Sequence, residues 1–246
     1  IKMKDVSIKT KEVRFFKFKS MTKRTLAILS IVLFFSSCGL TIRMLSGFKD
    51  PVVQSKNDIN QYVKENAGDF DTYFLNVQTP KDSTEIFERF LFGFNSDLYL
   101  FHTESGKKYC FQGTEECSGV LMQEAFKNVE TNFSVCQSNN QIHLDNFLKL
   151  LQDKNGKSVS RSNLPNSEYY LFETWNTYMQ NKKEFKENLK WLTALEQTNK
   201  KIKIIYINTD LLDDWGLEKG KKLPIKFKRN GKRSVELVFG KLPIKK

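Results

Sequence analysis

Chemistry in this chain has to be sought among its four cysteines and two histidines. Cys110 and Cys117 flank a short segment containing Gly113. In an oxidising compartment that spacing suits a structural disulfide, and the other reading is a displaced redox pair. Redox work needs a thiolate nucleophile and a second thiol close enough to resolve the mixed disulfide. Cys136 is left over and reads as buried and inert. His102 and His143 fall on different elements, with no cysteine or carboxylate at metal-ligand spacing, so no metal site is expected. Neither a Gly-x-Ser-x-Gly segment nor a Gly-rich phosphate loop occurs, so no catalytic residue and no cofactor is assigned.

The formal charge of +12 over 246 residues suggests a polyanion partner until its distribution is seen. Residues 1–37 hold nine Lys/Arg against two Asp/Glu, and the rest of the chain holds 31 against 26. A net +5 is weak ground for nucleic acid, and none is expected as a partner. Residues 21–38, MTKRTLAILSIVLFFSSC, have a basic start at Lys23 and Arg24, an apolar run from Leu26 to Phe35, and small residues before a cysteine. The run is about half of the ~20 residues that span a bilayer, which favours an export signal over a membrane helix. Its end, Phe35-Ser36-Ser37-Cys38-Gly39, is similar to a bacterial lipobox, with Phe35 where Leu is usual. That similarity implies cleavage before Cys38 and its lipidation. An uncleaved anchor or an ordinary signal is the other reading, and each leaves the body of the protein outside the cytoplasm. Residues 1–20 read either as an over-long start before Met21 or as a long basic leader from Met3.

The elements that must position any site follow from periodicity. Residues 39–57, with Gly39, Gly47 and Pro51, read as a tether, and Asp58 as the cap of a helix through Ile59, Tyr62 and Val63. Asp71–Val77 alternates weakly, and a second helical pattern carries Ile86, Phe87, Phe90 and Leu91. Asp97–Thr103 and Lys107–Gly113 read as a hairpin turning at Gly106. A helix through Leu121, Phe126 and Val129, a strand at Phe133–Cys136 and a helix over Ile142–Leu151 follow, the last with Asp145 and Lys149 four apart. Tyr169–Phe172 reads as a buried strand feeding a helix with Phe185, Leu189, Leu192 and Leu195 on one face. Lys203–Asn208 (KIIYIN) reads as a buried parallel strand. Two strands around Asn230-Gly231 complete the order. Eight basic residues lie between Lys219 and Arg233; Lys226 and Lys228 share one strand face, read as solvated or as a contact for acidic lipid headgroups.

The segment from Trp175, W-x-x-Y-M-x-x-K-K-E-F, resembles the thioredoxin active-site segment W-x-x-W-C-x-x-C-K. Met179 and Lys182 stand where that family keeps its two cysteines. The resemblance covers residues 165–242 and implies an α/β, thioredoxin-like fold with a mixed central sheet flanked by helices and an α/β N-terminal extension. With the leader over 1–38 and the tether over 39–57, the expected division is completed by an N-terminal region over 58–164 packing on the C-terminal half and a thioredoxin-like half over 165–246. Pro224 falls where the family places a cis-proline that presents backbone to an extended segment. A thioether and an amine cannot run thiol-disulfide exchange. The expectation is therefore a redox-inactive binding or scaffolding module, with Trp175, Tyr178, Met179, Lys182 and Pro224 as its contact residues. Trp175 and Tyr178 would form an aromatic ledge that takes an extended peptide by strand addition, or they would be packing residues at the strand-to-helix junction. The partners expected are membrane lipid through Cys38 and an extended peptide or envelope protein. The place expected is the periplasm-facing outer membrane, because Gly39, Leu40 and Thr41 lack an acidic surface-export cluster. The alternative is a thiol-disulfide oxidoreductase acting through Cys110 and Cys117.

Overall fold

Two runs with almost no polar alternation, Tyr169–Trp175 and Ile202–Asn208, lie either side of a 17-residue helix and pair in parallel over seven residues, from Tyr169 opposite Ile202 to Trp175 opposite Asn208. Strands covered on both faces carry continuous apolar runs, which is why neither segment alternates. The structure, a computed structural model, describes residues 49–66, 68, 70–77, 90, 98–113, 123–137, 142–178, 182–223, 225–230 and 234–239. They belong to one unit, Gly47–Lys246.

In chain order the elements are α1 (Lys56–Asn66), β1 (Thr72–Leu75), β2 (Tyr99–His102), β3 (Lys108–Phe111), α2 (Val129–Asn132), β4 (Phe133–Val135), α3 (Leu144–Leu148), β5 (Leu151–Gln152), β6 (Tyr169–Trp175), α4 (Lys182–Thr198), β7 (Ile202–Asn208), β8 (Ile225–Asn230) and β9 (Ser234–Phe239). Seven strands form one mixed sheet in the order β4-β3-β2-β6-β7-β1-β5, parallel at β6/β7 and β7/β1 and antiparallel elsewhere. This is an α/β fold with a mixed sheet. The sheet draws strands from both sides of residue 165, so the N-terminal region is woven into it.

Side chains on one face of the sheet meet α1 and α4. Phe185 of α4 stacks on Trp175 of β6 with ring centroids 5.0 Å apart, and Tyr62 of α1 lies 6.3 Å from the same indole. On the opposite face Phe147 of α3 packs against Phe101 and Phe172 at 5.2 and 4.7 Å. In α4, Phe185, Leu192 and Leu195 are buried at the spacing expected for one helical face. No helix among the described residues is long and apolar enough to cross a membrane.

The hairpin over β2 and β3 forms as the spacing predicts, with Gly106 at φ 66° in the left-handed region that glycine enters without penalty. Other expectations need correction. Among the described residues the β8–β9 hairpin pairs within itself and not with the seven-stranded sheet, and the strand beside β6 opposite β7 is β2 from the N-terminal half. The tether predicted over 39–57 is partly folded: Val53 is buried, Val52 bridges Lys222, and Gln54 bridges Leu212. The cap of α1 is Ser55, whose hydroxyl accepts from the Asp58 amide at 3.2 Å, while Asp58 Oδ2 accepts from the Ser55 amide at 3.1 Å. Lys219 and Ser55 together hold the Asp58 carboxyl at about 2. The helix predicted over 142–151 is shortened because Leu151 enters β5. Asp145 turns to Arg161, accepting from its Nε at 2.6 Å and its Nη2 at 2.8 Å, and Lys149 donates to Asn146 instead. The pattern of Ile86, Phe87 and Leu91 lies outside the described residues.

The cysteine pairing also differs from expectation. Cys110 of β3 is bonded to Cys136 just past β4, with Cα atoms 5.0 Å apart, so the 110–117 pair does not form; Cys117 lies outside the described residues. Register explains the choice, since β3 and β4 pair antiparallel with Cys110 opposite Ser134, which brings the residue two beyond it within reach. The bond closes a loop with a sequence separation of 26, for which chain entropy implies about 3.5 kcal/mol of stabilisation. Cys136→Ser is expected to lower the urea midpoint by a corresponding amount, and Cys117→Ser to leave it in place. Non-reducing peptide mapping that recovered a 110–117 link would contradict this pairing.

Candidate functional site at the carboxyl ends of the parallel strands

In α/β sheets ligands and chemistry gather beyond the carboxyl ends of parallel strands, where loops diverge. Here that place is the meeting of residues 176–178 after β6 with 208–211 after β7. Asp210 sits at its centre, 1% exposed. Its carboxylate accepts from the Thr177 amide at 3.1 and 3.0 Å, from the Thr177 hydroxyl at 2.7 Å and from Asn208 Nδ2 at 2.7 Å. Asn208 Oδ1 in turn accepts from the Asp210 amide at 3.0 Å. Gln54 Nε2 donates to Thr177 Oγ1 at 2.7 Å, which brings the N-terminal segment into the network. Burial pushes the Asp210 carboxyl up to about 6, against the pull of the Asn208 and Thr177 donors.

The loops are also joined through backbone. The Thr209 amide donates to the Trp175 carbonyl at 2.9 Å, and the Lys49 amide donates to the Tyr178 carbonyl at 2.7 Å. Residues 49–54 thus run over the strand ends, stitched onward to Leu211 and Lys221. Trp175 is 2% exposed and Tyr178 is 3% exposed. They do not form a ledge: both are packed in the core. Burial, and next the Asp210 charge, raises the Tyr178 hydroxyl well above the ordinary tyrosine range. The Trp175 Nε1 is buried without a hydrogen-bond partner among the described residues.

Of the other expected contact residues, Lys182 opens α4, exposed, with its ammonium 6.0 Å from the Tyr62 ring centre. Met179, Pro224 and Cys38 lie outside the described residues. A second carboxylate, Glu173 of β6, is held under α4 by Asn188 Nδ2 at 2.8 Å, and burial raises its proton affinity. The two histidines, on different elements in sequence, meet the same turn: His102 Nδ1 accepts from the Ser105 amide at 3.2 Å, and His143 Nε2 lies 3.0 Å from the Ser105 carbonyl. Among the described residues no group of three His, Cys, Asp or Glu side chains could hold a metal.

Sequence reasoning passed over Asp210, Asn208, Thr177 and Gln54. The available signal was the triplet Asn208-Thr209-Asp210 directly after a run of buried β-branched residues, polar side chains where a central strand delivers them to the interior. Chemically this arrangement is a closed clasp, its carboxylate fully engaged with neutral donors and covered by residues 49–54. Compared with family models, curated proteins and solved structures, the chain has no match.

The sign of the pH effect follows from the raised proton affinity. Below about pH 4 Asp210 is neutral folded and unfolded, and above about pH 6 the folded protein carries a charge in its interior. Stability is therefore expected to fall as pH rises from 3.8 to about 6, by up to about 3 kcal/mol from this group. Asp210→Asn should flatten that part of the profile in thermal melts at pH 4, 5, 6 and 7. Parallel profiles for the two proteins would show that Asp210 carries no such proton.

Proposed function

We propose that this chain is a lipid-anchored module of the cell envelope, facing the periplasm from the outer membrane, whose thioredoxin-like domain is redox-inactive and works by binding or scaffolding. What carries the reading is the β6-to-α4 junction, where Met179 and Lys182 replace the two thiols and Asp210 closes the loop from within. The Cys110–Cys136 disulfide supports an oxidising compartment, in keeping with the leader ending at Cys38. It fastens β3 to β4, with β2 between it and β6, so it takes no part in the junction.

With Trp175 and Tyr178 packed inside, the contact surface moves to the exposed first turns of α4. Lys182, Lys183 and Lys186 are exposed there. Cations at a helix N-terminus oppose the macrodipole, each at roughly 0.3–1 kcal/mol, so helix stability does not explain them. An acidic segment of an envelope protein or an extended acidic peptide would supply the missing charge.

Photo-crosslinking from position 183 in intact cells tests the binding role. Capture of an envelope protein is expected, and it should be lost when Lys182 and Lys186 are both replaced by Glu. Cys38→Ser should move the protein out of the membrane fraction. Insulin reduction at an enzymatic rate, or membrane retention of Cys38→Ser, would contradict the proposal.

A further inference from the structure

We propose that the β8–β9 hairpin, with the lysines at its root, is a docking surface for an anionic phospholipid bilayer; the proposal rests on the reading of Cys38 as a lipid anchor. Charge distribution along the chain carries it. Residues 219–246 hold eleven Lys/Arg and one acidic side chain, Glu236, whereas residues 38–218 hold 20 Lys/Arg against 25 Asp/Glu. The chain after the leader thus divides into a body at net −5 and a C-terminal segment at net +10. Neither solubility nor ion pairing calls for that separation, and the segment repels itself until a polyanion neutralises it.

Register gives this charge a shape. In the hairpin Lys226 pairs opposite Val238, Phe227 opposite Leu237 and Lys228 opposite Glu236, so Lys226 and Lys228 fall on one face of the ribbon and Ile225, Phe227, Leu237 and Phe239 on the other. At the root of the hairpin Lys221 and Lys222 are exposed. The root is also fastened to the chain that comes from the leader. The Val53 amide donates to the Lys221 carbonyl at 2.9 Å, the Leu223 amide donates to the Pro51 carbonyl at 2.9 Å, and Val52 bridges Lys222. Thirteen positions lead from Cys38 to Pro51, a reach of at most about 45 Å. An anchor at Cys38 therefore keeps this end of the domain beside the bilayer, at an effective concentration where weak contacts suffice. That continuity selects a membrane over RNA, which the same lysines would otherwise serve. Each lysine near an anionic leaflet strengthens such a contact about fivefold.

The test uses the full chain purified from membranes, with Cys117→Ser and a fluorophore on Ser234→Cys, which shares the face of Lys226 and Lys228. It is placed on vesicles of phosphatidylcholine alone or with an equal part of phosphatidylglycerol. Acrylamide quenching of the label is expected to fall about threefold on the anionic vesicles only. It should recover at about 1 M salt, where the Debye length shrinks to about 3 Å. Replacing Lys226 and Lys228 together by Gln, or Lys221 and Lys222 together by Gln, should weaken the contact about 25-fold and restore quenching while the protein stays on the vesicles. Sedimentation with the neutral vesicles reports the anchor by itself: protein that stays in solution there yet is protected on anionic vesicles removes the Cys38 reading and leaves the hairpin contact standing. The proposal is overturned if the label on vesicle-bound protein is quenched equally on both compositions, if neither lysine pair alters its protection, or if single-stranded RNA protects it as well as anionic vesicles do.

Discussion

One buried carboxylate holds together the end of the molecule where the parallel strands stop. Asp210 accepts hydrogen bonds from both the amide and the hydroxyl of Thr177 and from the Asn208 side chain, and through Thr177 it reaches Gln54. These groups come from three separate stretches of chain. Remove the carboxylate and the Thr177 amide loses its acceptor inside the protein, a cost that backbone groups avoid almost everywhere. Its partners are neutral donors. That is why burial outweighs them and the carboxyl holds its proton up to about 6.

This closure also decides what the strand-to-helix junction can do. A reactive site at such a junction needs a nucleophile and a path to it. Here Trp175 is turned inward against Tyr62, Phe70 and Phe185, Tyr178 is buried as well, and residues 49–54 hydrogen-bond across the strand ends. The disulfide does its work elsewhere, between two antiparallel strands at one side of the sheet. The proposed contact role rests on the exposed lysines at the head of α4, Lys182, Lys183 and Lys186.

Much of the fold was legible in the residues because local signals and burial agree. Tyr169–Phe172 and KIIYIN carry the unbroken apolar character of central parallel strands, and the stripe from Phe185 to Leu195 repeats at helical spacing between them. Gly106 marked its turn because only a left-handed residue closes it. What was not legible depended on partners distant in sequence. Strand order is one case: nothing in the β8–β9 sequence says that, among the described residues, it stands apart from the seven-stranded sheet, or that β2 takes the place beside β6. Disulfide choice is another, since Cys117 lies nearer to Cys110 in sequence while the β3/β4 register brings Cys136 to it. The inward turn of Trp175 and Tyr178 is a third, because an aromatic side chain looks alike in sequence whether it lines a ledge or fills a core. Asp210 escaped notice for the same reason. A carboxylate after a strand is ordinarily solvated, and only Gln54, some 150 residues away, and Thr177 reveal it as buried.

The most direct test of the closed strand end is the titration of Asp210 itself, followed by the ¹³C shift of its side-chain carboxyl in the folded protein. A midpoint near pH 6, accompanied by a change at the Thr177 amide over the same range, is the result this account predicts. A midpoint at the ordinary value of 3.8, with the Thr177 amide unmoved, would mean that the carboxylate is solvated and the clasp does not exist.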